Sequence, residues 1–239
     1  GKLKQSLINE TVTRGLDKSV PMKDSGVEWI GDVPAHWLVK KLSHSFRQIG
    51  SGTTPKAGID IYYDGGTINW INTGDLNDGV LYSCKRTVTD EALRDFGLTI
   101  YPVGSIIIAM YGATIGKTSI SMIEGCTNQA CCVLNNSKTI NVKFLFYWFL
   151  SKREFIISLS YGGGQPNISQ DTIKSLRIIS PAFEEQTTIA AYLDTKTAQI
   201  DRIVTAINTQ IDKLKDLRKA LINDVVTGKI KVVSGGAAA

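Results

Sequence analysis

Residues 3–16, LKQSLINETVTRGL, recur near the other end of the chain as LRKALINDVVTGKI at 217–230, a constant offset of 214 positions. Leu3/Leu217, Leu7/Leu221, Ile8/Ile222, Asn9/Asn223, Val12/Val226 and Thr13/Thr227 are identical, and Lys4/Arg218, Glu10/Asp224 and Leu16/Ile230 keep charge or bulk. A helix end that returns after one domain length points to a helix–domain–helix unit. The 239 residues suffice for one sizeable core with an appendage.

Working back from the second copy, Leu193, Ile200, Ile207, Leu214 and Leu221 recur every seven residues. Ile203 and Leu217 occupy part of a second seam, with Val204, Ile211 and Val225 widening the stripe. Ser180-Pro181 followed by Glu184 and Glu185 reads as a helix start: a capping hydroxyl, Pro in the first turn, and carboxylates at the positive end of the dipole. Thr227-Gly228 reads as its C-cap. The sequence thus predicts one helix of roughly 45 residues, about 65–70 Å long. Such a length outruns any domain of this size, so the stripe calls for another helix. Lys196, Gln210 and Asp224 interrupt the second seam and favour an antiparallel pair or a mixed bundle over a parallel zipper.

The middle of the chain has a different texture. Short β-prone runs at 67–72, 104–110, 117–123, 131–134 and 176–179 are separated by turn signals such as Asp64-Gly65-Gly66 and Asn77-Asp78-Gly79. Helices are predicted near 89–97 and 141–158. The expected fold class is α+β: one globular domain with an irregular, twisted β-sheet, followed by a long coiled-coil α-helix. The divisions are 1–20 (a preceding helix end and linker), 21–181 (the globular domain), 182–230 (the long helix) and 231–239 (a disordered tail).

Net charge is +5, and the segment 21–181 holds 15 basic against 13 acidic residues, so no part of the chain is a polycation. Affinity for a nucleic acid would have to come from local clusters. No apolar run reaches membrane-spanning length and no signal-peptide core is visible, which favours a cytoplasmic protein. Cys84, Cys126, Cys131 and Cys132 read as reduced thiols, and His36 and His44 lie far from them, so no metal site is expected. The turn Tyr111-Gly112-Ala113-Thr114-Ile115-Gly116-Lys117-Thr118 approaches a phosphate loop but has three residues between its glycines where four are needed. There is no Gly-x-Gly-x-x-Gly, no His-Glu-x-x-His and no nucleophile–His pairing, and no catalytic residue is assigned.

Several stretches, taken in order, resemble the specificity (S) subunit of type I restriction–modification enzymes. They are Trp29-Ile30-Gly31-Asp32-Val33-Pro34-Ala35-His36-Trp37, Ser51-Gly52-Thr53-Thr54-Pro55-Lys56, Trp70-Ile71-Asn72-Thr73-Gly74-Asp75-Leu76 and the 111–117 turn. Thr127-Asn128-Gln129-Ala130, Gly164-Gln165-Pro166-Asn167-Ile168, Pro181 with Glu185-Gln186, and Ile189-Ala190-Ala191-Tyr192-Leu193-Asp194 complete the set. The resemblance implies a target-recognition domain that reads one half of a split DNA target, and long helices that act as a spacer. It implies no chemistry in this chain. Methyltransferase (M) subunits using S-adenosylmethionine and a restriction/translocase (R) subunit using ATP and Mg would be partners. Because family members carry two recognition domains in tandem, one domain here fits either half of a full subunit or a half-subunit that pairs with itself, a homodimer through the long helices.

Candidate DNA contacts are polar or basic loop residues. Thr53, Thr54 and Lys56 follow a glycine that would let backbone approach a phosphate, or they form an ordinary surface turn. Lys85 and Arg86 are a phosphate pair or a solvated strand end. Tyr111, Thr114 and Lys117 sit on a glycine-flanked turn suited to close approach. Gln165 and Asn167, after a glycine run, offer amides that can read adenine, or else join helix to strand. The candidate coiled-coil face is Leu193, Ile200, Ile203, Ile207, Ile211, Leu214, Leu217 and Leu221. Trp29, Trp37, Trp70 and Trp148 read as core. The competing reading is a coiled-coil scaffold whose β-rich head binds a protein or sugar, without salt-dependent affinity for DNA.

Overall fold

The computed structural model describes residues 2–162 and 166–231. The chain opens with α1 (Lys2–Arg14), then β1 (Met22–Asp24), β2 (Asp32–Pro34), β3 (Leu38–Lys41), α2 (Leu42–Ser45) and β4 (Gln48–Ser51). β5 (Ile68–Ile71), β6 (Val80–Leu81), β7 (Thr87–Val88) and α3 (Asp90–Asp95) follow, and then β8 (Ile106–Ala109), β9 (Thr118–Ser121), β10 (Cys126–Thr127) and β11 (Cys131–Asn135). The last elements are α4 (Val142–Ser151), α5 (Arg153–Ser158), α6 (Gln170–Ser175), β12 (Arg177–Ser180) and α7 (Phe183–Val226). The chain divides into two compact units, residues 1–193 and 194–239.

The first unit is a mixed α+β fold. Its main sheet has the order β4-β11-β8-β9-β6, antiparallel except where β6 runs parallel to β9. A smaller sheet has the order β10-β5-β7, and β1-β2 and β12-β3 are antiparallel pairs. β8 is buried throughout because both faces of the sheet are covered, and successive side chains point to opposite faces. Ile106 and Ile108, with Ile120, Cys132 and Leu134, meet the aromatic side chains of α4. Ile107 and Ala109, with Cys131 and Val133, meet Ile71, Leu76, Leu81 and Tyr101 on the other side. Burial pushes the Cys132 thiol up to about 12. A third cluster, Trp70, Val88, Ala92, Leu98 and Cys126, lies under the small sheet.

Trp37, Trp70 and Trp148 are buried, as the sequence suggested, and Trp29 stacks on Phe155 at 4.0 Å between ring centroids. The predicted 141–158 helix is two helices. Lys152 caps α4 with φ −103° and ψ 13°, and neither Pro nor Gly marks the break. The contacts around it do. Gln5 Nε2 donates to the Leu150 carbonyl at 2.8 Å, and Lys152 Nζ donates to Asn9 Oδ1 at 3.0 Å. Lys152 is 7% exposed, and burial pulls its pKa below the usual lysine value. Ile8 and Val12 join the core beside α4, so α1 packs as part of the first unit. It ends at Gly15, whose φ of 72° lets its N–H reach the Thr11 carbonyl.

Ser180 closes β12 instead of capping a helix, and α7 starts at Phe183, two residues past Pro181. The pairing of β12 with β3 claims Ser180, opposite Leu38. Gln186 fixes the start of α7. Its Oε1 accepts from the Asn141 N–H at 2.8 Å, and its Nε2 donates to the Thr139 and Pro181 carbonyls, both at 2.9 Å. Leu193, at the head of the heptad pattern, is buried in the core of the first unit.

In the second unit α7 runs on as a helix to Val226. Ile203, Ile207, Ile211, Leu214, Leu217 and Leu221 are exposed, and Ile200 is half-buried. The C-terminus is a Schellman turn: Gly228 has φ 73°, its N–H reaches the Val225 carbonyl, and the Lys229 N–H reaches that of Asp224. The two sequence copies therefore both end helices at a left-handed glycine, yet differ in burial. Ile8 and Val12 are 2% and 0% exposed, and their counterparts Ile222 and Val226 are 52% and 79% exposed.

Gln186→Leu keeps the side-chain bulk but leaves three backbone groups without their partner. The expected cost is about 1–3 kcal/mol for each group that stays unsatisfied, read as a lower urea midpoint at unchanged slope.

Candidate nucleic-acid interface

β4 and β8 end, and β9 and β11 begin, at the same edge of the main sheet. The registers Cys132↔Ser51, Cys131↔Ala109 and Ile108↔Thr118 place them side by side. The loops leaving this edge are 52–58, 110–117 and 128–130, and the segment 166–168 joins them.

Main-chain bonds lace these loops together. The Met110 N–H donates to the Ala130 carbonyl, and the Ile168 N–H donates to the Met110 carbonyl, both at 2.8 Å. The Gly112 N–H meets the Pro166 carbonyl at 2.9 Å, and Tyr111 and Tyr161 each form a bridge with Asn167. Thr54 Oγ1 donates to Gln129 Oε1, and the Asn128 N–H reaches the Ile71 carbonyl at 3.1 Å. Thr114 closes its own turn, Oγ1 donating to the Tyr111 carbonyl at 2.9 Å.

Lys85 and Arg86 arrive from the neighbouring small sheet. They line a cleft of about 330 Å³ with Asn72, Thr73, Gly74, Asp75 and Asn128. Arg86 also borders a second cleft of about 360 Å³ with Ala57, Gly58, Tyr63 and Thr87. Thr53, Thr54, Lys56, Lys85, Arg86, Tyr111, Thr114, Lys117 and Asn167, scattered over more than a hundred residues of sequence, thus come together along one edge. Gln165 lies outside the described residues. The structure brings to the same edge Asn128 and Gln129, from the Thr127–Ala130 stretch of the resemblance, and Tyr161, whose only sequence signal was a tyrosine before a glycine run.

The electrostatics favour an anion. Among the described residues, Lys56, Lys85, Arg86 and Lys117 take part in no ion pair. The nearby Asp75 carboxylate accepts from the backbone N–H groups of Asn72 and Lys85. Tyr111 and Tyr161, 42% and 59% exposed, flank Asn167 through their main-chain bridges. No group of three or more His, Cys, Asp or Glu able to hold a metal occurs among the described residues.

Gly52 plays a different part from the one its sequence suggested. A Cβ there would lie 1.6 Å from the Thr127 carbonyl oxygen, and the Gly52 N–H donates to Thr127 Oγ1 at 3.1 Å. The space that was to admit a phosphate is filled by the chain itself. The glycine brings two loops together.

Residues 34–213 match the family described as type I restriction modification DNA specificity domain, and the protein belongs to that family. The MjaIX specificity subunit of Methanocaldococcus jannaschii is 32% identical over 169 residues, covering 69% of this chain and 38% of that protein. The EcoR124I/EcoR124II specificity subunit of Escherichia coli is 23% identical over 208 residues, 85% of this chain and 48% of that protein. The crystal structure of the HsdS subunit from Thermoanaerobacter tengcongensis shares the fold, with a TM-score of 0.66 at 18% identity over 96% of this chain and 51% of that one. A chain from a structure of type I R-M complex assembly gives a TM-score of 0.69 at 18% identity, over 93% and 53% of the two chains. The protein thus spans about half, or less, of the length of these relatives.

Gly52→Ala is expected to force the 52–56 and 127–130 loops apart while the α4 side of the sheet stays intact. Hydrogen exchange checks it: amides of those two loops should lose protection, and those of β8 and β11 should keep it.

Proposed function

We propose that this protein is a DNA-binding specificity component of a type I restriction–modification complex. The observation that carries this reading is the convergence of sequence-distant polar loops on one sheet edge, in a chain of the DNA specificity family. The edge meets double-stranded DNA. Lys56, Lys85, Arg86 and Lys117 neutralise phosphates and set the register, and the amides of Asn128, Gln129, Gln165 and Asn167 read base edges in the major groove. One recognition domain reads one half of a bipartite target.

The chain contributes no catalytic residue and binds no cofactor. Adenine methylation with S-adenosylmethionine belongs to methyltransferase subunits, and ATP- and Mg-dependent translocation and cleavage to the restriction subunit. No helix among the described residues is long and apolar enough to cross a membrane, which suits a component acting on DNA in the cytoplasm.

The exposed apolar stripe of α7 pairs with a second copy of the chain. Burying each Leu or Ile of that stripe contributes about 1.5–3 kcal/mol, enough in sum to drive association of two long helices. The exposed second copy of the Ile-Asn-acid-x-Val motif supports the same view, because its counterpart in α1 is buried against a recognition domain.

Co-expression with a cognate methyltransferase subunit, followed by single-molecule mapping of methylated adenine, tests the proposal. A symmetric split motif is expected from a homodimer, and failure to co-purify with the methyltransferase would refute the assignment. Lys117→Ala should weaken binding to every duplex and reduce the slope of log K against log salt by about 0.9. Ile207→Asp combined with Leu214→Asp should reduce the chain to a monomer in sedimentation while the first unit keeps its melting temperature.

A further inference from the structure

The 110–117 loop is braced by a charged pair formed between α5 and the turn that leads into β6. Arg153, the first residue of α5, donates from Nε to the Gly116 carbonyl at 3.1 Å and from Nη1 to Asp78 Oδ2 at 3.0 Å. Its Nη2 closes a second contact on Asp78 Oδ1. That same Oδ1 accepts from the Thr118 N–H at 3.1 Å. The guanidinium and its carboxylate thus grip the peptide groups on both sides of Lys117, the Gly116 carbonyl before it and the Thr118 N–H after it.

The geometry around the pair is specific. Asp78 has φ 59°, the left-handed conformation that Asp and Asn adopt in turns more readily than other residues with a side chain. Asn77 fixes the same turn: its N–H donates to Ser119 Oγ at 3.0 Å and its Nδ2 to the Val80 carbonyl at 3.2 Å. Gly116 has φ 76°, and the space of its missing Cβ is bounded by Arg153 Cγ at 3.1 Å. The Arg153 and Asp78 side chains are 28% and 31% exposed, so the pair is shielded by the chain on most sides.

We infer that Arg153, acting through Asp78 and Gly116, is a positioning residue for DNA reading: it sets the direction in which Lys117 and the Tyr111–Thr114 turn leave the sheet edge, without touching DNA. The inference rests on the proposal that this edge binds DNA. A planar fork is required, since one side chain must reach a carbonyl and both oxygens of a carboxylate at fixed angles. Lysine supplies the charge and not the fork.

The test uses the full chain and a pool of duplexes of randomised sequence, read for affinity, salt slope and the motif enriched by selection. Arg153→Ala is expected to lose about tenfold in discrimination at the bases that Tyr111→Ala also affects, the scale of one bidentate base contact, with the salt slope unchanged. Arg153→Lys should remain defective. If Arg153→Ala lowers the slope by about 0.9 and Arg153→Lys restores it, Arg153 contacts a phosphate directly and the inference falls. It also falls if the folded variant selects an unchanged motif and only melts earlier. Should Arg153→Ala not fold, Asp78→Asn replaces it, because Asn tolerates the backbone and still accepts from Thr118 N–H. Lys117→Ala and Tyr111→Ala separate the two levels of the argument. If neither alters DNA binding, the assignment of the edge fails; if both do and the Arg153 variants do not, only the positioning role fails.

Discussion

From Phe144 to Phe149 helix α4 is buried all the way round, and the rest of the first unit is arranged to cover it. Phe144, Leu145, Phe146, Tyr147, Trp148 and Phe149 are all buried. A helix without a polar face must be enclosed by other elements. The main sheet supplies one wall, α1 another, and the start of α7 is tied to the N-terminal end of α4 through Gln186, Thr139 and Asn141. The far end of α4, at Leu150 to Lys152, is where α1 is hydrogen-bonded and where α5 departs. This one constraint explains why a polar, unremarkable N-terminal helix is required for a complete core.

The parts of the fold legible in the sequence were those with a strong periodic signal. The heptads of α7 and the apolar runs of β5, β8, β9 and β11 fell close to where they stand, because long-range packing agrees with local pattern there. The strands of the segment 21–51 were opaque. β1 to β4 are three or four residues each, and most of their side chains are partly or fully exposed, so neither alternation nor an apolar run marks them. The break between α4 and α5 was hidden for another reason. It is imposed by partners more than a hundred residues away, Asn9 and Gln5, and by Asp78, none of which leaves a local trace.

The candidate interface shows the same division. Turn chemistry pointed to Thr53, Lys56, Tyr111 and Lys117, since glycines mark loops wherever they serve. It could not say that those loops meet, because their meeting follows from strand register. Nor could it assign Gly52, whose neighbour is the backbone of Thr127. A glycine needed for close approach looks identical in sequence whether the other party is a ligand or the chain. Gln129 stood only inside a stretch of the family resemblance and Tyr161 was passed over, because a lone amide or ring in a loop carries no weight until the loop is placed.

The lacing of the edge loops is carried by main-chain groups, Met110 to Ala130, Gly112 to Pro166 and Ile168 to Met110. Peptide groups are the same whatever side chain they bear, so the framework is indifferent to the identity of many residues mounted on it. Exchanges at exposed positions such as Thr53, Lys56 or Tyr111 remove no buried contact and fall in the class that shifts stability by about half a kcal/mol or less. Such an edge can change the side chains it presents without first being rebuilt. That separation of frame from lettering lets the exposed side chains change by a few substitutions in a protein that still folds.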